Sequence, residues 1–204
     1  MGNPNQTLPN KIRDLMTENK IAQNELVVLV NENNDEIGTM EKIEAHRKGL
    51  LHRAFSVFLV NSNNEWMLQQ RAAHKYHSAS LWSNACCSHP RPAEDVHEAA
   101  HRRLMEEMGL TCPLQFAFTF QYHARLEGGM IENELDHVFV GYTDEHPSAN
   151  PDEVSNWRFV HPDTLAREMK QHPERFTAWF HIAMPRVLHF LNQNPSTSGH
   201  LTGH

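Results

Sequence analysis

The segment Trp82-Ser83-Asn84-Ala85-Cys86-Cys87-Ser88-His89-Pro90 sets a thiol and an imidazole two residues apart among small polar side chains. It is the densest functional signal in the chain, although two buried cysteines beside a surface histidine satisfy the same spacing, because free cysteine is commonly buried and inert. Zinc-finger arithmetic fails, since no second cysteine pair stands at ligand spacing, and Cys112 stands alone as a structural residue. A second signal is Glu132-Asn133-Glu134. In an extended chain both carboxylates point to one face, where they repel unless a cation or a proton separates them. They read as a solvated edge or, beside surplus histidines, as half of a mixed N/O metal site. His46 and His52 flank a short polar segment, and either alone reads as an ordinary surface histidine. Arg103 and Glu107, four apart, share a helix face. They form either an i,i+4 ion pair or a cation and a magnesium-binding carboxylate facing a diphosphate.

These residues need elements to hold them. Leu26–Val30 is a continuous aliphatic run, hence a buried strand, and Glu36–Met40 returns beside it after the turn at Asn33-Asn34-Asp35. Ala54–Val60 is the strongest strand pattern, and Trp66–Gln70 pairs back across Asn61–Asn64. A polar loop follows from Ala72 to Ser80. Val96, Ala100, Leu104 and Met108 recur at fourfold spacing, which makes Glu94–Met108 an amphipathic helix with Gly109 as its C-terminal stop. Gln115–His123, Leu135–Tyr142 and Asn156–Val160 read as strands. Asp163 reads as the N-cap of a helix, and Glu174–Leu191 as the last helix. The fold expected is α/β (α+β): an α/β/α sandwich around a mixed sheet, with additional N- and C-terminal helices.

A chain of 204 residues suits one domain. Residues 1–24 read as a lead-in with a short helix near Lys11–Glu18, 25–193 as the domain, and 194–204 as a flexible tail. With 18 Lys and Arg against 25 Asp and Glu, the net charge of −7 offers no bulk attraction to nucleic acid or an anionic membrane. No apolar run approaches the roughly 20 residues that span a bilayer. Three cysteines make no disulfide framework, and Met1–Asn10 has no apolar core of an export signal. A reducing cytoplasm is the expected location. Sixteen histidines are several times an ordinary domain's share, and could mean metal, pH sensing or composition.

Arg102-Arg103-Leu104-Met105-Glu106-Glu107-Met108-Gly109-Leu110 resembles the Nudix box, which ends in Arg-Glu-aliphatic-any-Glu-Glu-any-Gly-aliphatic. Aligned on Gly109, positions Arg102, Leu104, Glu106, Glu107 and Leu110 match. Arg103 stands where the box has its first glutamate, and Ser88 where it opens with glycine. Losing a carboxylate to a cation weakens a Nudix-type diphosphate hydrolase reading. With Gly38–Lys42, Ala45-His46, Leu51–Phe55, Trp82–Pro90, Tyr122 and Glu132-Asn133-Glu134, the chain resembles the type I isopentenyl-diphosphate delta-isomerases. These are Nudix-fold enzymes that do not hydrolyse their substrate.

That resemblance implies reversible conversion of isopentenyl diphosphate into dimethylallyl diphosphate in isoprenoid biosynthesis. The alkene is protonated at C4 and loses a proton from C2, through a carbocation-like intermediate at C3. By the same resemblance Cys87 is the catalytic thiol, Glu134 the opposing acid/base, and Tyr122 the hydroxyl that relays or orients the proton. Cys86 is a packing residue. His46, His52, His89, Glu132 and Glu134 match the ligands of one divalent metal, Mn²⁺, Zn²⁺ or Mg²⁺, and Glu107 matches the position that holds Mg²⁺ with the substrate diphosphate. Lys42, Arg71, Lys75 and Arg103 match diphosphate-gripping cations. Trp179 matches a pocket tryptophan facing the carbocation, although its helical spacing equally suits the core. His74 and His77 read as loop residues, solvated rather than bordering the diphosphate. The implied partner is the small prenyl diphosphate alone, with no nucleic acid, membrane or obligatory protein partner. The hydrolase leaves the Cys87-x-His89 pair unexplained. A non-catalytic metal-binding or regulatory module would keep the histidines but need neither Cys87 nor Tyr122.

Overall fold

Strand β3 (His52–Val60) is buried on both faces and organises the sheet. Such a near-continuous apolar run suits a central strand. The computed structural model describes residues 25–194; the lead-in with its helix near 11–18, and the tail from 195 onward, lie outside the described residues. One edge of β3 pairs in parallel with β8 (Ile131–Tyr142) along its whole length. Its other edge is shared in turn by three antiparallel partners. These are β1 (Leu26–Val30) at His52, β6 (Cys86–Ser88) at Phe55–Val57, and β4 (Trp66–Arg71) at Leu59 and Val60. β2 (Glu36–Glu41) pairs with β1, and β7 (Leu114–Arg125) with β8. β5 (Trp82–Asn84) and β9 (Val154–Val160) flank β4, completing a nine-stranded mixed sheet among the described residues. β3 and β4 thus meet only at one end and then fork.

Helices cover both faces, as the α/β/α reading requires. α2 (Val96–Met108) lays Ala100, Leu104 and Met108 on Phe55, Val57 and Phe139. On the opposite face α3 (Pro162–Gln171) and α4 (Ala178–Gln193) pack on Phe58, Val138 and Val140. Side chains alternate along β6, so Cys86 enters the α2 core and Cys87 faces the α4 side.

Several boundaries differ from expectation. Sequence periodicity does not reveal α1 (Lys42–Lys48), a helix of 7 residues capped by the Glu41 carboxylate and stopped by Gly49 at φ +62°. β7 and β8 run longer than the sequence pattern, and the Glu132-Asn133-Glu134 triplet is therefore strand. The α3 cap is His161, not Asp163: Pro162 takes the first helical position and the His161 ring accepts from the Asp163 amide. The last helix begins at Ala178, because Pro173–Arg175 forms a separate 3₁₀ turn.

Gly109 ends α2 at φ +64°, and a Cβ there would lie 2.6 Å from the Ser148 carbonyl oxygen. Gly109→Ala should lower the unfolding free energy by about 1–2 kcal/mol from the backbone alone. Urea titration checks this, and an unchanged midpoint would show that the turn relaxes freely.

Candidate active site

Register brings three side chains into one row. Tyr122 on β7 pairs with Glu134 on β8, and Glu134 with His52 on β3. From α1, His46 turns inward and is 1% exposed; His89 follows β6. The Nε2 atoms of His89, His52 and His46 lie 3.0, 3.4 and 3.7 Å from one oxygen, Oε1, of Glu134. One ligand atom from each of these four residues falls within 4.8 Å of the others.

The donor set fits a divalent cation. The His52 ring places Nδ1 2.8 Å from the Leu50 carbonyl, so that nitrogen carries the proton and Nε2 presents a lone pair. That Nε2 lies 3.2 Å from His89 Nε2, and both ring nitrogens of His46 are buried without a hydrogen-bond partner. Converging lone pairs and an orphaned buried imidazole are what a bound cation would satisfy. Burial pushes His89 down to about 4, leaving the neutral imidazole that ligation requires.

The other Glu134 oxygen has a different partner. Tyr122 Oη donates to Glu134 Oε2 at 2.6 Å and stands 3.2 Å from Glu132 Oε2. The phenol has one proton, and the shorter contact takes it. Burial by itself would raise Glu134, but the imidazoles around Oε1, with His89 nearest at 3.0 Å, hold it well below the usual carboxylate range. Burial and the Glu134 charge push Glu132 well above that range. Glu132 shares the face of Glu134, as the triplet pattern expects, but lies outside the four converging atoms. Its nearest imidazole is His77, 3.8 Å away.

Cys87 is only partly buried and sits on the same sheet face. Its sulfur accepts from Trp179 Nε1 at 3.0 Å and lies 2.8 Å from Asn84 Oδ1. Ser56, 3.7 Å behind it, donates to the buried Asp136 carboxylate at 2.8 Å. Burial pushes the Cys87 thiol up to about 12, with the Asp136 charge adding to it. Trp179 is therefore at the thiol. Its indole edge meets the sulfur, and the Arg71 guanidinium lies 5.3 Å from its ring centre.

The remaining cations are paired with carboxylates. Lys42 pairs with Glu25, whose carboxyl drops to about 2 because Lys42 outweighs the opposing effect of burial. Lys75 and Arg103 both pair with Glu153, and Arg103 also holds Glu107 at 2.8 Å. Gln69 donates to the second Glu107 oxygen at 3.0 Å. The i,i+4 pair expected on α2 is thus real and belongs to a larger network.

A NUDIX domain model matches residues 50–180. The isopentenyl-diphosphate Delta-isomerase of Pectobacterium atrosepticum is 53% identical over 161 residues, covering 79% of this chain and 90% of that protein. The chain belongs to the isopentenyl-diphosphate Delta-isomerase family of Nudix-fold enzymes. A family member from Aliivibrio fischeri is 48% identical and is covered over 98% of its length. Among solved structures, a Deinococcus radiodurans protein superposes with a TM-score of 0.68 at 19% identity, covering 79% of this chain and 98% of that one. A Nudix hydrolase from M. smegmatis reaches 0.54 at 18%, over 84% and 97%. These two share the fold. No described helix is long and apolar enough to cross a membrane.

At this candidate site, sequence reasoning misplaces His77 and misses Glu153, Gln69 and Asp136. His77 is 6% exposed, wedged between Glu132, Tyr76 and Trp179, whereas His74 is exposed as expected. Glu153 reaches Lys75 and Arg103 because β9 pairs with β4, a contact no local spacing announces. Removing Arg103 would leave Glu107 and Glu153 facing each other without their shared cation. Arg103→Met should therefore cost about 3 kcal/mol of stability, and Glu107→Gln added to it should recover part. Urea unfolding of both variants measures this, and equal midpoints for parent and single variant would remove the network from the account.

Proposed function

We propose that the protein interconverts isopentenyl diphosphate and dimethylallyl diphosphate, using Cys87 and Glu134 as the two proton-transfer groups. The observation that carries this reading is their placement. A thiol and a tyrosine-bonded carboxylate project from one sheet face, with the Trp179 indole against the thiol. The reaction adds a proton at C4 of the alkene and removes one from C2, so it needs two such groups and a dry surface near C3. Tyr122 holds Glu134 Oε2 by its hydroxyl and moves or orients the proton there. Cys87 supplies the second site of proton transfer. Trp179 closes the pocket beside it, and its ring offers a negative face to positive charge developing at C3.

His46, His52, His89 and Glu134 would hold one divalent ion, Zn²⁺, Mn²⁺ or Mg²⁺, with Glu132 beside them. A bound ion would offset the Glu134 charge, and Tyr122 addresses Oε2, where the proton is moved or oriented. Lys42, Arg71, Lys75 and Arg103 grip the diphosphate, and Glu107 would hold Mg²⁺ against its oxygens. Arg103 neutralises Glu107 where a hydrolase would keep a further carboxylate. That supports isomerisation over the alternative, a Nudix-type diphosphate hydrolase. The three free thiols suit a reducing cytoplasm. The substrate is the partner proposed, with no nucleic acid or membrane.

Incubation with isopentenyl diphosphate and Mg²⁺ in deuterated buffer, followed by NMR, should give allylic methyl signals, deuterium incorporation and no free phosphate. Phosphate release would support the hydrolase instead, and an unchanged spectrum a non-catalytic module. Cys87→Ala should abolish turnover while Cys86→Ala, on the opposite face, retains most of it; equal behaviour would mean that the wrong thiol is assigned. Elemental analysis should find the metal lost in Glu134→Gln and largely kept in Glu132→Gln. Even outer-shell changes cost roughly 10–100-fold in metal affinity, so a ligand loss is readily seen. Full occupancy in Glu134→Gln contradicts the site.

A further inference from the structure

Asn84 is fully buried at the fork where β3 and β4 part. It is the last residue of β5, paired with Leu68 of β4, and the chain then crosses to β6 against β3. Its side-chain amide donates to the Val57 carbonyl at 3.1 Å and to the Cys86 carbonyl at 2.8 Å. Those two residues are register partners in the β3–β6 ladder. An asparagine amide offers two N–H donors and one acceptor oxygen. Two backbone carbonyls can accept only from the NH₂ end, so the usual ambiguity between the two ends is resolved by the chemistry of the neighbours. Oδ1 therefore has one direction left, towards Cys87 Sγ at 2.8 Å and the Ser83 hydroxyl at 3.0 Å.

The Trp179 indole N–H stands 3.0 Å from the same sulfur. An indole nitrogen only donates, so it meets a sulfur lone pair; Asn84 Oδ1 only accepts, so it meets the S–H. The thiol thus has one fixed polarity in the pocket. Ser56 and Ser83 stand farther off, 3.7 and 3.8 Å from the sulfur, and each hydroxyl proton has a closer acceptor, Asp136 at 2.8 Å and Asn84 Oδ1 at 3.0 Å.

We propose that Asn84 is a positioning residue for Cys87: its amide, pinned by two strand carbonyls, turns a single acceptor to the thiol and so fixes the direction of the S–H bond and of the sulfur lone pair. Asn84 is fully buried against the thiol and acts on the reaction only through Cys87. The strand fork supplies the rigidity, since the amide cannot rotate without breaking both carbonyl contacts. The kinetic consequence rests on the isomerase reading, whereas the vibrational one does not.

The S–H stretch of the holoenzyme, assigned by its loss in Cys87→Ala, reads the bond directly. It should lie below the frequency of a simple alkyl thiol in an apolar solvent. Asn84→Leu, which keeps side-chain bulk without polar atoms, and Asn84→Ala should each return it to the free position. Both should lower kcat by about tenfold to a hundredfold, the scale of a small misplacement of a reacting group, with KM for isopentenyl diphosphate within about twofold because substrate binding is untouched. A band at the free-thiol position in the parent overturns the proposal even if neither variant folds. So does a shifted band that persists in both variants, or a fall in kcat without movement of the band, which would be a structural effect. Absence of isomerase activity in the parent, with the band still displaced and restored as described, would defeat the isomerase reading and leave the positioning role standing.

Discussion

The site depends on one carboxylate having two different ends. Oε1 of Glu134 faces three imidazole nitrogens, and Oε2 faces the Tyr122 hydroxyl. A buried carboxylate without partners would take up a proton; here His89 meets one oxygen while the phenol addresses the other. The arrangement needs strands in strict register, because a slip of one residue would turn Glu134 to the α2 face. Parallel pairing of β3 with β8 and antiparallel pairing of β7 with β8 fix that register on both sides of the residue.

The same sheet explains why one cysteine of an adjacent pair reaches the site. Alternation along β6 sends Cys86 under α2 and Cys87 towards α4. The β3/β4 fork admits Asn84 beside the thiol, and on α2 Arg103 holds Glu107. A net charge of −7 thus coexists with local cationic positions, each balanced by a named carboxylate or aromatic ring.

Elements with a sustained period were legible from sequence. The Ala54 run, the fourfold apolar spacing of Val96–Met108 and its terminal Gly109 all correspond to observed elements. Those without room for a period were not: α1 spans 7 residues, and β5 and β6 span 3 each. The carboxylate triplet was readable as a same-face pair, but its burial and its tyrosine partner depend on β7. His77 sits in a loop whose composition suggests solvent, and only tertiary packing buries it. Asn84 lies within the segment singled out for its thiol. Its amide acquires meaning only when two carbonyls from different strands flank it. Most of the sixteen histidines remain composition, and three share one carboxylate oxygen.

On the proposed roles the two oxygens of Glu134 do separate work: one would hold a metal, and the other would exchange a proton beside Tyr122. Tyr122→Phe separates them in a single preparation, analysed for bound metal and for turnover of isopentenyl diphosphate. The expected result is the parent's full metal content with kcat reduced by about 10²–10⁴, the usual contribution of a positioned acid or base. Metal lost in proportion to activity, or turnover unchanged, would contradict it.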